Sequence, residues 1–176
     1  LNPSIAQSAV KLKIPGVYSQ QEYKRFYPDG EVTSQLVGYT NIDGNGQEGM
    51  ELAYNQWLEG HAGKQLAIED LRGNVVSVVK QIAIQKPGHN LALSIDRRIQ
   101  FLAYQALKEA VVHYNAKSGS AVVLDIDTGE VLAMVNQPSF NPNDRSKYGE
   151  GYRNRAITDT FEPGSTMKAF SIMSAL

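Results

Sequence analysis

At 176 residues the chain is long enough for one ordinary domain or parts of two. Hydrophobic residues make up 42% and charged residues 20%, with a formal net charge of -1, so neither disorder nor a phosphate-neutralising surface is expected. The absence of cysteine excludes disulfides and thiolate metal sites, and His61, His89 and His113 stand singly without ligand spacing.

The chain begins at Leu1 with no signal pattern, and its last residues, Ala169 to Leu176, read as a helix with no Gly, Asn or Pro stop. It therefore reads as a fragment, with any targeting signal upstream. Val75-Val76-Ser77-Val78-Val79 is among its longest apolar runs, far short of the roughly 20 residues of a membrane span.

In chain order, Ser34 to Ile42 predicts a strand, and Met50 to Leu58 a helix with Leu52, Ala53 and Trp57 on one face. Val75 to Val79 is a β-branched strand continued in Gln81 to Ile84, and Lys86-Pro87-Gly88 marks a boundary. Leu91 to Ile95 predicts a short strand. Asp96 then caps a helix whose apolar residues Ile99, Leu102, Ala106, Ala110 and Val111 recur at spacings of three and four. Ser120 to Asp125 and Glu130 to Val135 predict a β-hairpin turning at Asp127-Thr128-Gly129. A polar loop from Gln137 to about Asn154 follows, and Pro163-Gly164 precedes a helix carrying Ser165.

Ser165 and Lys168 carry the chemistry. A serine hydroxyl needs a base to become a nucleophile, and on a helix residue i+3 shares the face of residue i. Lys168 can serve as that base when burial or neighbouring positive charge disfavours its charged form. A serine in the first turn also has a backbone N–H free to meet a developing oxyanion. Spacing alone is weak, because Ser-x-x-Lys occurs three times, at Ser8, Ser77 and Ser165. Ser77 lies in a strand, where i and i+3 face opposite ways. Only Ser165 follows a Pro-Gly turn with an apolar helix behind it. The bland alternative is an N-cap serine beside a solvated lysine.

Phe161-Glu162-Pro163-Gly164-Ser165-Thr166-Met167-Lys168 resembles the first active-site motif of class B penicillin-binding proteins. Gly119 to Asp125 and Thr128 to Met134 resemble that family's opening hairpin. Pro138 to Asn143 and Asn154-Arg155-Ala156 resemble the approach to the nucleophile, and Leu93 to Asp96 with Gln100 the start of its first helix. Upstream, Arg25 to Pro28 with Glu31, then Glu48 to Glu51 with Leu58 and Gly60, resemble its N-terminal pedestal.

The division-specific monofunctional transpeptidases are the most similar branch. The resemblance implies an α+β (mixed α/β) fold, with a pedestal over residues 1–88 and the start of a transpeptidase domain over 89–176. It implies serine-type D,D-transpeptidation of peptidoglycan stem peptides, with Ser165 as nucleophile and Lys168 as general base. It also implies β-lactams as inhibitors, no cofactor, other cell-division or wall-synthesis proteins as partners, and the periplasmic face of a bacterial inner membrane.

The family's second and third motifs lie downstream of the nucleophile, where this chain has eight residues after Lys168. Ser139-Phe140-Asn141 and Lys117-Ser118-Gly119 fit those motifs only in reversed order, so the chain alone is expected not to catalyse transpeptidation. Gly44-x-Gly46-x-x-Gly49 fits a dinucleotide fingerprint, but polar Asn41-Ile42-Asp43 precedes it. Asp43-x-Asn45-x-Gln47 fails as a calcium loop, having Glu48 in place of Gly and Tyr54 in place of Glu. Two alternatives remain: a serine β-lactamase or β-lactam sensor, separable by deacylation rate, and a non-catalytic interaction module built on the pedestal.

Overall fold

The structure is a computed structural model describing residues 3–17, 24–71, 75–144 and 151–176. It is α+β. Helix α1 (Pro3–Lys11) leads to a body built from short helices, one long helix and a hairpin, with a second hairpin attached. No helix among the described residues is long and apolar enough to cross a membrane.

The body is organised by helix α5 (Arg97–His113) lying on the hairpin of β3 (Gly119–Leu124) and β4 (Val131–Gln137). Asp96 caps α5 as expected, its carboxylate accepting from the amides of Arg98 (2.8 Å) and Ile99 (3.2 Å). Arg98 and these amides hold that carboxyl below the usual carboxylate range. The hairpin also forms at the expected place, antiparallel from Gly119↔Gln137 to Leu124↔Val131. Its turn is set by Asp125, which accepts from Asp127 N (2.9 Å) and Thr128 N (3.0 Å), and by Gly129 at φ 76°.

The stripe of α5 that faces the sheet differs from expectation. It runs through Ile99, Gln100, Ala103, Tyr104, Leu107 and Val111, whereas Leu102, Ala106 and Ala110 are exposed. The fully buried Gln100 explains the rotation. Its Nε2 donates to Val32 O (2.7 Å) and Met134 O (2.9 Å), and its Oε1 accepts from Met134 N (2.8 Å). A carboxamide so satisfied can occupy the core stripe that an apolar pattern assigns elsewhere.

Residues 24–58 pack against this body through polar contacts. Ser34 to Ile42, expected as a strand, instead opens with helix α2 (Ser34–Val37), and Thr40 forms an isolated bridge with Gly46. Buried Gln35 donates to Pro138 O (3.0 Å) and Gly151 O (2.9 Å), which favours the helical turn over alternation. Gly38, at φ 80°, ends it where a Cβ would stand 1.8 Å from Glu48 O. Asn143 brackets the Tyr27 backbone, donating to its O (2.8 Å) and accepting from its N (3.0 Å). Tyr104 OH donates to Glu31 at 2.6 Å, and Lys108 joins the same carboxylate at 3.1 Å.

The helix expected over Met50 to Leu58 is broken at Tyr54 into α3 (Gly49–Ala53) and α4 (Asn55–Leu58). Leu52, Ala53 and Trp57, expected to share a face, are exposed or half-exposed. The buried residue is Glu51, which a salt bridge to Arg25 (3.2 Å) makes tolerable. Leu91 to Ile95 forms no strand. It runs beside β4 through single bonds, Ser94 Oγ to Val131 O (2.8 Å) and Asp96 N to Leu132 O (2.9 Å).

The second hairpin pairs β1 (Lys64–Glu69) with β2 (Val75–Ala83), the latter matching the expected strand. His61 and Lys86 close its base through paired backbone bonds of 2.7 and 2.9 Å.

Candidate active site

The residues singled out for chemistry stand at the end of a path that starts in β4. Apolar Ala133 and Val135 fill the core, but the next residue, Asn136, is polar and 1% exposed. Its Oδ1 accepts from Ser120 Oγ and from Ala156 N, both at 2.8 Å, and its Nδ2 donates to Asn154 Oδ1 at 2.9 Å. These bonds attach helix α6 (Arg155–Thr158) to the hairpin. Asp159 closes α6, ion-paired with Arg155 (3.0 Å) and Arg153 (2.6 Å). A cleft of about 440 Å³ separates this end of α6 from the β3 edge, lined by Ser118, Ser120, Val122, Arg155, Asp159 and Phe161.

Beyond it the chain turns at Gly164, whose φ of 57° suits glycine, into a 3-10 turn over Gly164–Met167 that runs directly into α7 (Lys168–Met173). Thr166 Oγ1 donates to Pro163 O, which ties the start of that turn. Ser165 therefore stands in the turn that heads α7, and the Lys168 amide donates to the Ser165 carbonyl. Ser165 thus lies in the 3-10 turn and Lys168 at the first position of α7, with both side chains exposed. Among the described residues, neither Ser165 Oγ nor Lys168 Nζ has a hydrogen-bond partner.

The other sequence candidates lie elsewhere. Ser8 is on α1, bonding back to Ser4 O (2.9 Å), and Ser77 and Lys80 are on β2. Ser139 Oγ donates to Glu31 O (3.0 Å), and Asn141 Oδ1 accepts from Asn143 N (2.9 Å), so both serve the loop. Gly119 lies against Leu107 and Val111, a close approach of strand to helix. Gly46 and Gly49 serve backbone packing: a Cβ on either would collide with the Glu51 or the Leu36 carbonyl. His61 sits at the ribbon's base, His89 stacks on Trp57 at 4.2 Å, and His113 meets Tyr114 edge-on.

Sequence reading gave no role to Asn136 or Asp159. The one signal in the sequence was a polar residue directly following the apolar run Val131 to Val135.

The penicillin-binding protein dimerisation domain matches residues 4–93, and the penicillin-binding protein transpeptidase domain matches residues 119–176. The chain belongs to the penicillin-binding proteins. Two curated relatives are each 49% identical over 177 aligned residues that take in 100% of this chain: the probable peptidoglycan D,D-transpeptidase PbpC of Pseudomonas aeruginosa and the peptidoglycan D,D-transpeptidase FtsI of Escherichia coli. The chain spans only 31% and 30% of their respective lengths.

Among solved structures, a peptidoglycan synthetase from Bifidobacterium adolescentis superposes with a TM-score of 0.68 at 28% identity, over 98% of this chain and 32% of its own. Penicillin-binding protein 3 from Mycobacterium tuberculosis gives 0.64 at 34% identity, over 82% and 29%. As a penicillin-binding protein, this chain comprises pedestal and the start of a transpeptidase domain.

Proposed function

We propose that Ser165 is the nucleophile of a peptidoglycan D,D-transpeptidase that cross-links stem peptides during septal wall synthesis, with Lys168 as general base. The observation that carries the reading is the Gly164–Met167 turn, which presents an exposed serine at the head of α7 with a lysine three residues on. The D,D-transpeptidase activity for which the 49% identical relatives are named supports it.

In this reading Ser165 Oγ gives its proton to the Lys168 amine, acting as general base, and attacks the carbonyl of the penultimate D-Ala. The C–N bond breaks, the terminal D-Ala leaves with that proton, and an ester on Ser165 remains. An amine of a neighbouring stem then attacks the ester, forming the cross-link and returning the serine hydroxyl. The Ser165 amide, in the first turn, has no helical acceptor and is suited to the developing oxyanion. A β-lactam would enter the same first step and stay as a slow ester.

In this reading the working protein acts at the periplasmic face of a bacterial inner membrane. We set the division between pedestal and transpeptidase parts at Gly88. Residues 1–176 by themselves are expected not to turn over substrate.

The test is labelling by a fluorescent penicillin of two proteins. One is the chain itself; the other is Escherichia coli FtsI with its matched segment replaced by residues 1–176. Ser165-dependent labelling of the hybrid is expected, and none of the isolated chain. A folded hybrid that stays unlabelled, or one labelled equally well as Ser165→Ala, overturns the assignment.

A second role is favoured by the β1–β2 ribbon, which exposes Val76, Val79 and Ile82. In it the pedestal contacts other division or wall-synthesis proteins. Failure of the ribbon to protect from amide exchange in an envelope extract would count against it.

A further inference from the structure

The tie between sheet and nucleophile turn passes through one buried amide. Of the three hydrogen bonds of Asn136, one stays within the hairpin, to Ser120, and two reach across to Ala156 N and Asn154 Oδ1. Asn154 in turn sets its Nδ2 3.3 Å from Met134 Sδ, so the start of α6 is held on β4 from both sides. Asp159, six residues before Ser165, is fixed by the two arginine pairs. From Thr160 onward every residue is exposed, and the hydrogen bonds of this tail run within itself. Along the chain, α6 is the last element tied to the sheet before Ser165.

An apolar residue would pack at this core position without the desolvation cost of an amide. The polar choice makes physical sense where one side chain must bridge two elements and has every acceptor used.

We propose that Asn136 is a positioning residue for acyl transfer: its amide fixes α6 on the hairpin and so fixes where the nucleophile turn stands against the sheet. The proposal rests on the reading of Ser165 as nucleophile. Small displacements of a reacting group are costly, on the order of 100-fold in rate for about 1 Å.

The experiment measures penicillin acylation of the FtsI hybrid, separating the acylation rate constant from the preceding binding constant, alongside Tm. Asn136→Ala is expected to lower the rate constant on the order of 100-fold with binding unchanged. Asn136→Asp keeps the acceptor for Ala156 N but loses the donor to Asn154 Oδ1, and is expected to recover only part of the rate. Val135→Ala, next in the strand and bonded to nothing in α6, is expected to lower Tm while leaving the rate constant unchanged. Asn154→Ala is expected to lower the rate constant with a smaller loss of Tm than Val135→Ala.

The proposal is overturned if the rate constant falls in step with Tm across these variants, or if Asn136→Ala acylates normally. If Asn136→Ala does not fold, the contrast between Asn154→Ala and Val135→Ala decides alone. Loss of labelling in the unmutated hybrid, or its persistence in Ser165→Ala, strikes the nucleophile assignment itself.

Discussion

The molecule contains two antiparallel hairpins, both rich in β-branched residues, and they have opposite fates. β3–β4 lies under α5, has Ala133 and Val135 at 0% and 2% exposure, and carries one register shift. β1–β2 has every described residue of β2 exposed and three register shifts along its six paired positions. Strand propensity made both ribbons, but only a covering helix with a matching polar anchor made one of them a core. Register is strongly specified where one face is buried and loosely where neither is, which accounts for the irregular pairing of the bare ribbon.

Removing the anchor should break this contrast most severely. Gln100→Leu deprives Val32 O, Met134 O and Met134 N of their partner while keeping the volume, and should destabilise the chain by about 3 kcal/mol. Urea unfolding would measure it; a loss below about 1 kcal/mol would mean that α5 is held by apolar contact alone.

Matched truncations sharpen the same point. Val135→Ala should cost about 2 kcal/mol because it empties a fully buried site. Val79→Ala on β2, already 58% exposed, should change stability by no more than about 0.5 kcal/mol. Equal losses would show that the ribbon is covered in solution by something the isolated chain provides.

The contrast also shows what was legible in the sequence. The Asp96 cap, the Asp125 turn and the β3–β4 hairpin follow from local chemistry, in which a few residues bond to their own backbone. The misreadings at Ser34 to Ile42 and on the faces of α3 and α5 share a cause: buried Gln35, Glu51 and Gln100 are tolerated because distant groups satisfy them. No periodicity announces such partners. For the proposed site, Ser165 and Lys168 were put forward from their motif. The bonds of Asn136 were not legible, because they depend on Ala156 and Asn154, 20 and 18 residues away, reaching it.

Amide exchange resolves the two hairpins strand by strand. Amides of β3–β4 should open only at a free energy near that of global unfolding, and those of β1–β2 at close to zero. Comparable protection in both would mean that the β1–β2 ribbon is held as firmly as β3–β4.

The smallest effect lies in the turn of the covered hairpin. Asp125 accepts from two turn amides, and the bonds from Thr128 and then Asp127 hold its carboxyl below the usual carboxylate range. A carboxyl lowered in the folded state binds protons more readily in the unfolded chain. Its contribution is therefore complete above about pH 3.9, the unfolded value, and fades as the pH falls through the folded one. The Asp125 carboxyl resonance should accordingly titrate with a midpoint below about 3.9. Asp125→Asn should remove that part of the acid sensitivity and leave the hairpin register intact, since the amide oxygen can still accept from both N–H groups. A midpoint at or above about 3.9 would mean that the turn is held by Gly129 and strand pairing, with the carboxylate a bystander.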